Sequence, residues 1–342
     1  MFEEAPHAAE SAAPRPPRWS VIAVWSAILS VAIASLYFFY ARGLSNLYGD
    51  GIAHMEGARR LFDSLTPGYA EIGSVWLPLY HLVVAPLALN DFLWRTGLGG
   101  SLVSTAAFIV AAWFLFRLAF EMNRGLPAAG VALAGFVLCP NMLYLASTPL
   151  TETLAILWAV LVVYGLFRYQ QSGGVLSLVG SAAAAFFGTL TRYDGWFLLP
   201  FAALFVLLGR SDPWRTRTFR ALIFSTIAGA GPVLWLLHNA YRFGNALEFY
   251  NGPFSAQAIY ARQLATTAFR YPTEGSLLLS ARYFVADLEL VIGVWLLVLA
   301  LFGFIAWIAD RDNRARRAAA LLFLVPLPFY VYSMAYAAIP LY

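Results

Sequence analysis

Apolar runs separated by short polar joints fill almost the whole 342-residue chain. A helix needs roughly 20 mostly apolar residues to cross a bilayer. Runs at about 19–41, 98–120, 126–145, 153–169, 175–190, 195–208, 221–237, 283–309 and 318–334 therefore predict about nine spans. The first is too long for a signal-peptide core and has no small-residue cleavage site, so it reads as a retained signal anchor. Two joints are long, about 42–97 and 238–282. Within the first, 75–89 is apolar but only about 15 residues long, and it holds Pro78, His81 and Pro86. That length suits an interfacial or re-entrant helix better than a span. Residues 1–18, rich in Ala, Pro, Glu and Arg, read as a disordered cytoplasmic tail, and 19–342 as one transmembrane module. The predicted fold class is all-α: a polytopic bundle of about nine spans, with the long first and fourth extracytoplasmic loops carrying interfacial helices. The chain shows no internal repeat and no soluble domain.

Charge sets the expected orientation. All 22 basic residues are arginine. With the N-terminus inside, the arginine-rich stretches 210–220 and 310–317 fall in the cytoplasm, together with Arg15, Arg18, Arg117, Arg124 and Arg168. Both long loops then fall outside, and counting 75–89 as a span would invert everything after it.

Composition agrees with a membrane protein. The chain is 61% hydrophobic and 12% charged, against roughly 25% charged in soluble domains. The net charge of +4 comes without any long basic run interleaved with aromatics, so membrane lipids are expected partners and nucleic acid is not. Cys139 stands alone and has no partner for an intramolecular disulfide.

Candidate chemistry collects on the expected outer face. Tyr48-Gly49-Asp50-Gly51 follows the first run, and a helix there puts Asp50, His54 and Gly57 on one side. A carboxylate near the hydrocarbon boundary suits a general base; an Asp at this point also suits a helix cap. Thr148-Pro149-Leu150-Thr151-Glu152 opens the fourth run. Glu152 either complements the helix dipole or faces Asp50 to orient an acceptor or share a divalent cation. Arg192, Tyr193 and Asp194 cap the fifth and sixth runs, with Arg192 either pairing with Asp194 or reaching a phosphate. Trp76 and His81 open the interfacial segment, and His81 reads as a cavity-lining or a structural residue. Arg262 and Arg270 alternate with tyrosines in the second long loop, as at a phosphate-binding rim or an ordinary interface.

These motifs together resemble the GT-C superfamily of membrane glycosyltransferases that use polyprenyl-phosphate-linked sugars, such as protein O-mannosyltransferases and lipid A aminoarabinose transferases. The resemblance rests on Tyr48-Gly49-Asp50-Gly51 with His54, Ala58-Arg59-Arg60, Trp76-Leu77-Pro78-Leu79-Tyr80-His81, Pro149-Leu150-Thr151-Glu152 and Leu190-Thr191-Arg192-Tyr193-Asp194-Gly195-Trp196, over about 45–240. It implies an inverting, mannosyltransferase-like enzyme of a bacterial inner membrane with its site outside. Asp50 would be the base and Glu152 the second carboxylate. His54, Arg59, Trp76, His81, Arg192, Tyr193, Asp194, Arg262 and Arg270 would bind substrate. The implied partners are a polyprenyl-phosphate-linked sugar donor and a protein, lipid or glycan acceptor. A divalent cation (Mg or Mn) is an optional cofactor, on Asp50 and Glu152 if anywhere. Members often carry Asp where this chain has Glu152, and tend to extend beyond the equivalent of Pro340-Leu341-Tyr342, so the chain reads as a minimal or shortened module. The competing classes are a transporter or flippase for lipid-linked anions, which predicts midplane charges and inverted repeats, and a non-catalytic scaffold of the same fold.

Overall fold

The computed structural model describes residues 15–123, 125–267, 270–309 and 314–336. Residues 1–14 of the expected tail, Arg124, residues 310–313 of the second arginine stretch and Pro340-Leu341-Tyr342 lie outside the described residues. Among the described residues the chain is all-helical, with no strand. In chain order the helices are α1 (Arg18–Ala41), α2 (Gly49–Arg60), α3 (Leu79–Ala88), α4 (Asp91–Arg95), α5 (Leu98–Asn123), α6 (Leu126–Val137), α7 (Pro140–Ala146), α8 (Glu152–Ser172) and α9 (Val175–Thr189). There follow α10 (Asp194–Gly209), α11 (Trp214–Phe243), α12 (Glu248–Asn251), α13 (Ala256–Thr266), α14 (Leu277–Ile292), α15 (Val294–Ala309), α16 (Arg314–Leu324) and α17 (Pro326–Ala335).

Five helical stretches among the described residues are long and apolar enough to cross a membrane, and the number rises to seven if each of two bent pairs counts as one span. This is an integral-membrane architecture, coarser than the nine spans expected from the apolar runs. The differences are local. The expected third span breaks between α6 and α7 with a 64° bend, at Leu138-Cys139 just before Pro140. The expected eighth span breaks between α14 and α15 by 108° at Gly293, whose φ of 78° is left-handed and suits glycine. The 75–89 segment forms α3, only 10 residues long. Helices α9 and α10, at 15 and 16 residues, are also short of a full span.

Lipid tails are as apolar as leucine, so close packing and interhelical hydrogen bonds hold such helices together. Small residues provide both here. A Cβ on Gly165 of α8 would lie 2.7 Å from the Ser181 Cβ of α9, and Ser181 Oγ donates to the Val162 carbonyl at 2.9 Å. One core cluster joins α8, α9, α10, α11 and α16 around Leu166, Phe167, Phe224 and Ala228. Another joins α1, α5 and α6 around Ile28, Phe108 and Phe116. A third seats α2 and α3 on α5 and α8 through Met55, Tyr80, Val84 and Leu157. Near the C-terminal end of α5, the buried Glu121 carboxylate accepts from Arg117 (2.7 Å), Arg168 (3.2 Å) and Tyr164 (3.0 Å). A buried carboxylate needs such partners to remain charged.

Candidate active site

Glycine contacts bring the site together. Gly51 of α2 and Gly100 of α5 both press on Pro149, which precedes α8 by three residues. A Cβ on Gly51 would stand 3.0 Å from the Pro149 ring, and one on Gly100 would collide with Pro149 and lie 2.8 Å from the Tyr80 hydroxyl. Ser104 and Thr105 of α5 then pin the same turn, donating to the Leu150 and Ala146 carbonyls at 3.1 and 2.8 Å. The result sets Asp50, beside Gly51, close enough to Glu152 at the start of α8 for the two charges to interact. The turn before α10 joins them, because the Leu79 amide donates to the Leu190 carbonyl at 3.0 Å.

The charged groups differ in their partners. Arg192 donates to Glu152 Oε1 at 2.6 Å and Thr151 Oγ1 at 3.2 Å, and its Nε stands 3.8 Å from Asp194 Oδ2. Glu152 Oε2 is buried with no hydrogen-bond partner among the described residues. Asp50 is the second residue of α2, opens onto the cavity and makes no ion pair with a described residue. Its side chain caps nothing, so the capping alternative is not what this helix uses. Partial burial and the Glu152 charge push its carboxyl above the ordinary value, and Arg192 pulls it back. One turn on, His54 Nδ1 meets His81 Nε2 at 2.9 Å, and the His54 ring packs on Trp76 with centroids 4.4 Å apart. Burial, aided by His81 and Arg192, pushes the His54 imidazole down to about 3. The pair is therefore neutral at physiological pH, one ring donating to the other.

A strap of residues 66–78 crosses beside these groups. Tyr69 and His238 share a hydrogen bond of 2.6 Å, and His238 Nε2 donates to the Gly73 carbonyl at 3.1 Å, so α11 holds the strap from outside. From inside, the Tyr193 hydroxyl donates to the Val75 carbonyl at 2.6 Å while accepting from Trp235 Nε1 at 2.9 Å. Arg60 pairs with Glu71 at 2.7 Å.

All these segments border one cavity of about 2230 Å³. Asp50, His54, Gly57, Glu71, Trp76, His81, Glu152, Arg192, Tyr193 and Asp194 line its charged side. The remaining wall comes from Phe249, Tyr250 and Phe254, from Tyr260 and Tyr271 (stacked at 4.5 Å), from Leu277 and Leu278 of α14, and from Phe329, Tyr332 and Tyr336 in and after α17. The second long loop and α17 thus meet the first long loop across one space.

Three expected site residues do not line it. Arg59 turns away to Asp63 (2.6 Å) and Asp91 (2.5 Å) and lies over the Trp94 ring. Arg262 donates to the Pro253 carbonyl at 2.6 Å, and Arg270 faces Glu274 at 3.7 Å. The cause is competition from nearer partners, which a one-dimensional reading of loop arginines does not reveal. Conversely, Glu71, Phe249, Tyr330 and the α17 aromatics belong to the site without having been singled out. For Phe249 a signal was present, an aromatic within the second long loop; the apolar α17 run gave none.

The donor set fits a divalent cation poorly. Hard cations take about six oxygen ligands, yet one Glu152 oxygen is taken by Arg192, and no group of three or more His, Cys, Asp or Glu among the described residues is placed to hold a metal. Comparison with family models gives no match, and comparison with curated proteins gives no matching relative.

Proposed function

We propose that this chain is an inverting membrane glycosyltransferase that moves a sugar from a polyprenyl-phosphate-linked donor to a hydroxyl acceptor, with Asp50 as general base. One observation carries the reading. A carboxylate that makes no ion pair among the described residues, Asp50, sits beside a preorganised Glu152–Arg192 pair at the charged end of a cavity of about 2230 Å³ whose other walls are aromatic and aliphatic. A lipid-linked substrate needs both environments at once.

In the proposed step the acceptor oxygen attacks the anomeric carbon from the face opposite the lipid phosphate. The acceptor's proton passes to Asp50, and the bond from carbon to phosphate oxygen breaks with its electron pair on the phosphate. Glu152, with Oε1 fixed by Arg192 and Oε2 unpartnered, orients the acceptor. Arg192 lends positive charge near the leaving group, and Tyr193 and Trp76 flank the sugar. No step is routed through a metal.

The same reading places the N-terminus in the cytoplasm of a bacterial inner membrane, with nine crossings once the bent and short helices are counted, and the cavity outside. This orientation follows from the arginine distribution.

The test is transfer from polyprenyl-phosphate mannose in vesicles. Asp50→Asn keeps size and hydrogen bonding but removes the base, whose contribution is about 10²–10⁴-fold. Loss of at least about 10²-fold with normal folding supports the role. Undiminished transfer in folded Asp50→Asn protein overturns it. Absence of transfer by the wild-type chain from any such donor favours the scaffold alternative.

A further inference from the structure

The last helix reaches the charged centre through one hydroxyl. Tyr330 of α17 donates to Asp194 Oδ2 at 2.7 Å. That same oxygen faces Arg192 Nε at 3.8 Å, while Arg192 Nη1 donates to Glu152 Oε1 at 2.6 Å. Asp194 Oδ1 is occupied separately, accepting from the Gly195 amide at 3.0 Å. Four side chains from three separate parts of the chain thus form a line, hydroxyl, carboxylate, guanidinium, carboxylate, with the Tyr330 hydroxyl also in reach of the Arg192 guanidinium itself.

The energetics of such a line turn on competition for Arg192. Two carboxylates compete for one guanidinium, and the shorter contact goes to Glu152. The Tyr330 hydroxyl satisfies the Asp194 oxygen that would otherwise draw Arg192 toward itself. An oxygen that already accepts a good hydrogen bond gains less from a second donor. Removing the hydroxyl frees Asp194 Oδ2 to compete, and Arg192 then shifts from Glu152 toward Asp194. Glu152 would lose the contact that fixes which of its oxygens is left free for a ligand.

We infer that Tyr330 is a positioning residue that acts on Arg192, both through Asp194 and by direct contact, to hold it on Glu152. Tyr330 also rests on Phe284 of α14 at 6.4 Å between ring centroids, and its neighbours Phe329 and Tyr332 line the aromatic wall. A ligand in the aromatic half therefore presses on the helix that sets the geometry of the charged half. The functional consequence rests on the glycosyltransferase reading; the coupling itself does not.

The test is a double-mutant cycle read by thermal unfolding of the full chain in dodecyl maltoside, which needs no substrate. Tyr330 and Glu152 share no hydrogen bond, so purely local roles give additive losses. If Tyr330 acts through Arg192, part of the Tyr330→Phe loss is the Glu152–Arg192 contact, which Glu152→Leu, the second variant of the cycle, has already removed. The Tm loss of the double variant is then smaller than the sum of the singles by at least about 2 °C. In an Asp194→Asn background the non-additivity shrinks by about half or more, since only the direct Tyr330–Arg192 contact is left to carry it. Additivity in the wild-type background overturns the inference, as does non-additivity of undiminished size without Asp194. Should Tyr330→Phe not fold, Tyr330→Leu carries the same cycle. In a transfer assay Tyr330→Phe lowers kcat with the donor KM unchanged. If the wild-type chain transfers no sugar, the proposed function fails, and the unfolding cycle still decides the coupling.

Discussion

Arg192 stands 2.6 Å from Glu152 and 3.8 Å from Asp194, so a single guanidinium joins the turn before α10 to the first residue of α8. Its planar fork also reaches Thr151 Oγ1 at 3.2 Å. Lysine keeps the charge but offers one compact ammonium instead of the fork. Arg192→Lys is expected to keep the fold, with a Tm loss within a few degrees, and to lower transfer by about 10-fold or more. Glu152→Gln is expected to lower kcat with the donor Kd nearly unchanged. If Glu152→Gln weakens donor binding as much as turnover, the acceptor-side role is wrong. Both comparisons need only steady-state kinetics and a donor-binding isotherm.

Gly100 and Gly180 are both helix-interior glycines in very different settings. A Cβ on Gly100 meets Pro149 and stands 2.8 Å from the Tyr80 hydroxyl, whereas one on Gly180 meets nothing within 4 Å. Overpacking of this kind costs about 1–3 kcal/mol, and Gly→Ala in an open helix position gains up to about 1 kcal/mol. Gly100→Ala is therefore expected to lower Tm and also transfer, since it pushes away the turn that carries Glu152. Gly180→Ala is expected to hold or raise Tm with transfer unchanged. Equal Tm for the two variants contradicts the close approach at Pro149.

Much of this was legible in the sequence, for identifiable reasons. Apolar run length announced the helices, and Asp50, His54 and Gly57, grouped by their i, i+4, i+7 spacing, all line the cavity. The Pro149-to-Glu152 turn and the turn around Arg192 were readable as helix starts. Breaks were not. Gly293 lies inside an apolar run whose hydropathy is unaffected by one glycine, yet its left-handed backbone turns the chain by 108°. Long-range partners were equally hidden: Arg59 with Asp91, Tyr69 with His238, and Tyr330 with Asp194 are separated by 32, 169 and 136 residues. Side-chain direction decides such pairs, and one sequence does not encode it locally.

Orientation is testable without activity. In a Cys139→Ser background, single cysteines within 245–267 are expected to react with a membrane-impermeant maleimide added to intact cells, and cysteines within 211–219 only after lysis. These two stretches lie at opposite ends of α11. The opposite pattern inverts the proposed topology and places the cavity in the cytoplasm.

The histidine pair gives stability a pH dependence of known sign. His54 is 5% exposed, and its folded-state pKa of about 3 lies below the ordinary 6.5. The unfolded chain takes up this proton near pH 6.5 while the folded chain resists until about 3. The neutral pair's contribution is thus fully present above 6.5 and is lost as pH falls between 6.5 and about 3, with a limiting slope of about 1.4 kcal/mol per pH unit per proton. Tm should fall on acidification through this window. His54→Gln should start lower at pH 8 and show a flatter profile. A parallel profile in the variant assigns the acid sensitivity to other groups.

Asp50 works in the opposite direction. Its carboxyl is raised above 3.8 by burial and by Glu152. A raised carboxyl favours the protonated form in the folded state, so its contribution to stability is lost as pH climbs from 3.8 through the folded value. Once ionised, Asp50 opposes folding, and among the described residues it makes no ion pair that offsets this. As a general base, however, it has to be ionised. Transfer is therefore expected to rise with pH along an acid limb whose midpoint lies above 3.8. Asp50→Asn should abolish that limb and raise Tm at pH 7, and the gain in Tm should vanish when both proteins are compared at pH 3.5, where wild-type Asp50 carries its proton. Such an exchange of stability for a charged, unpaired group is expected where a residue is retained for chemistry. A fall in Tm at pH 7 on Asp50→Asn would mean the carboxylate has a structural partner and is not held in reserve as a base.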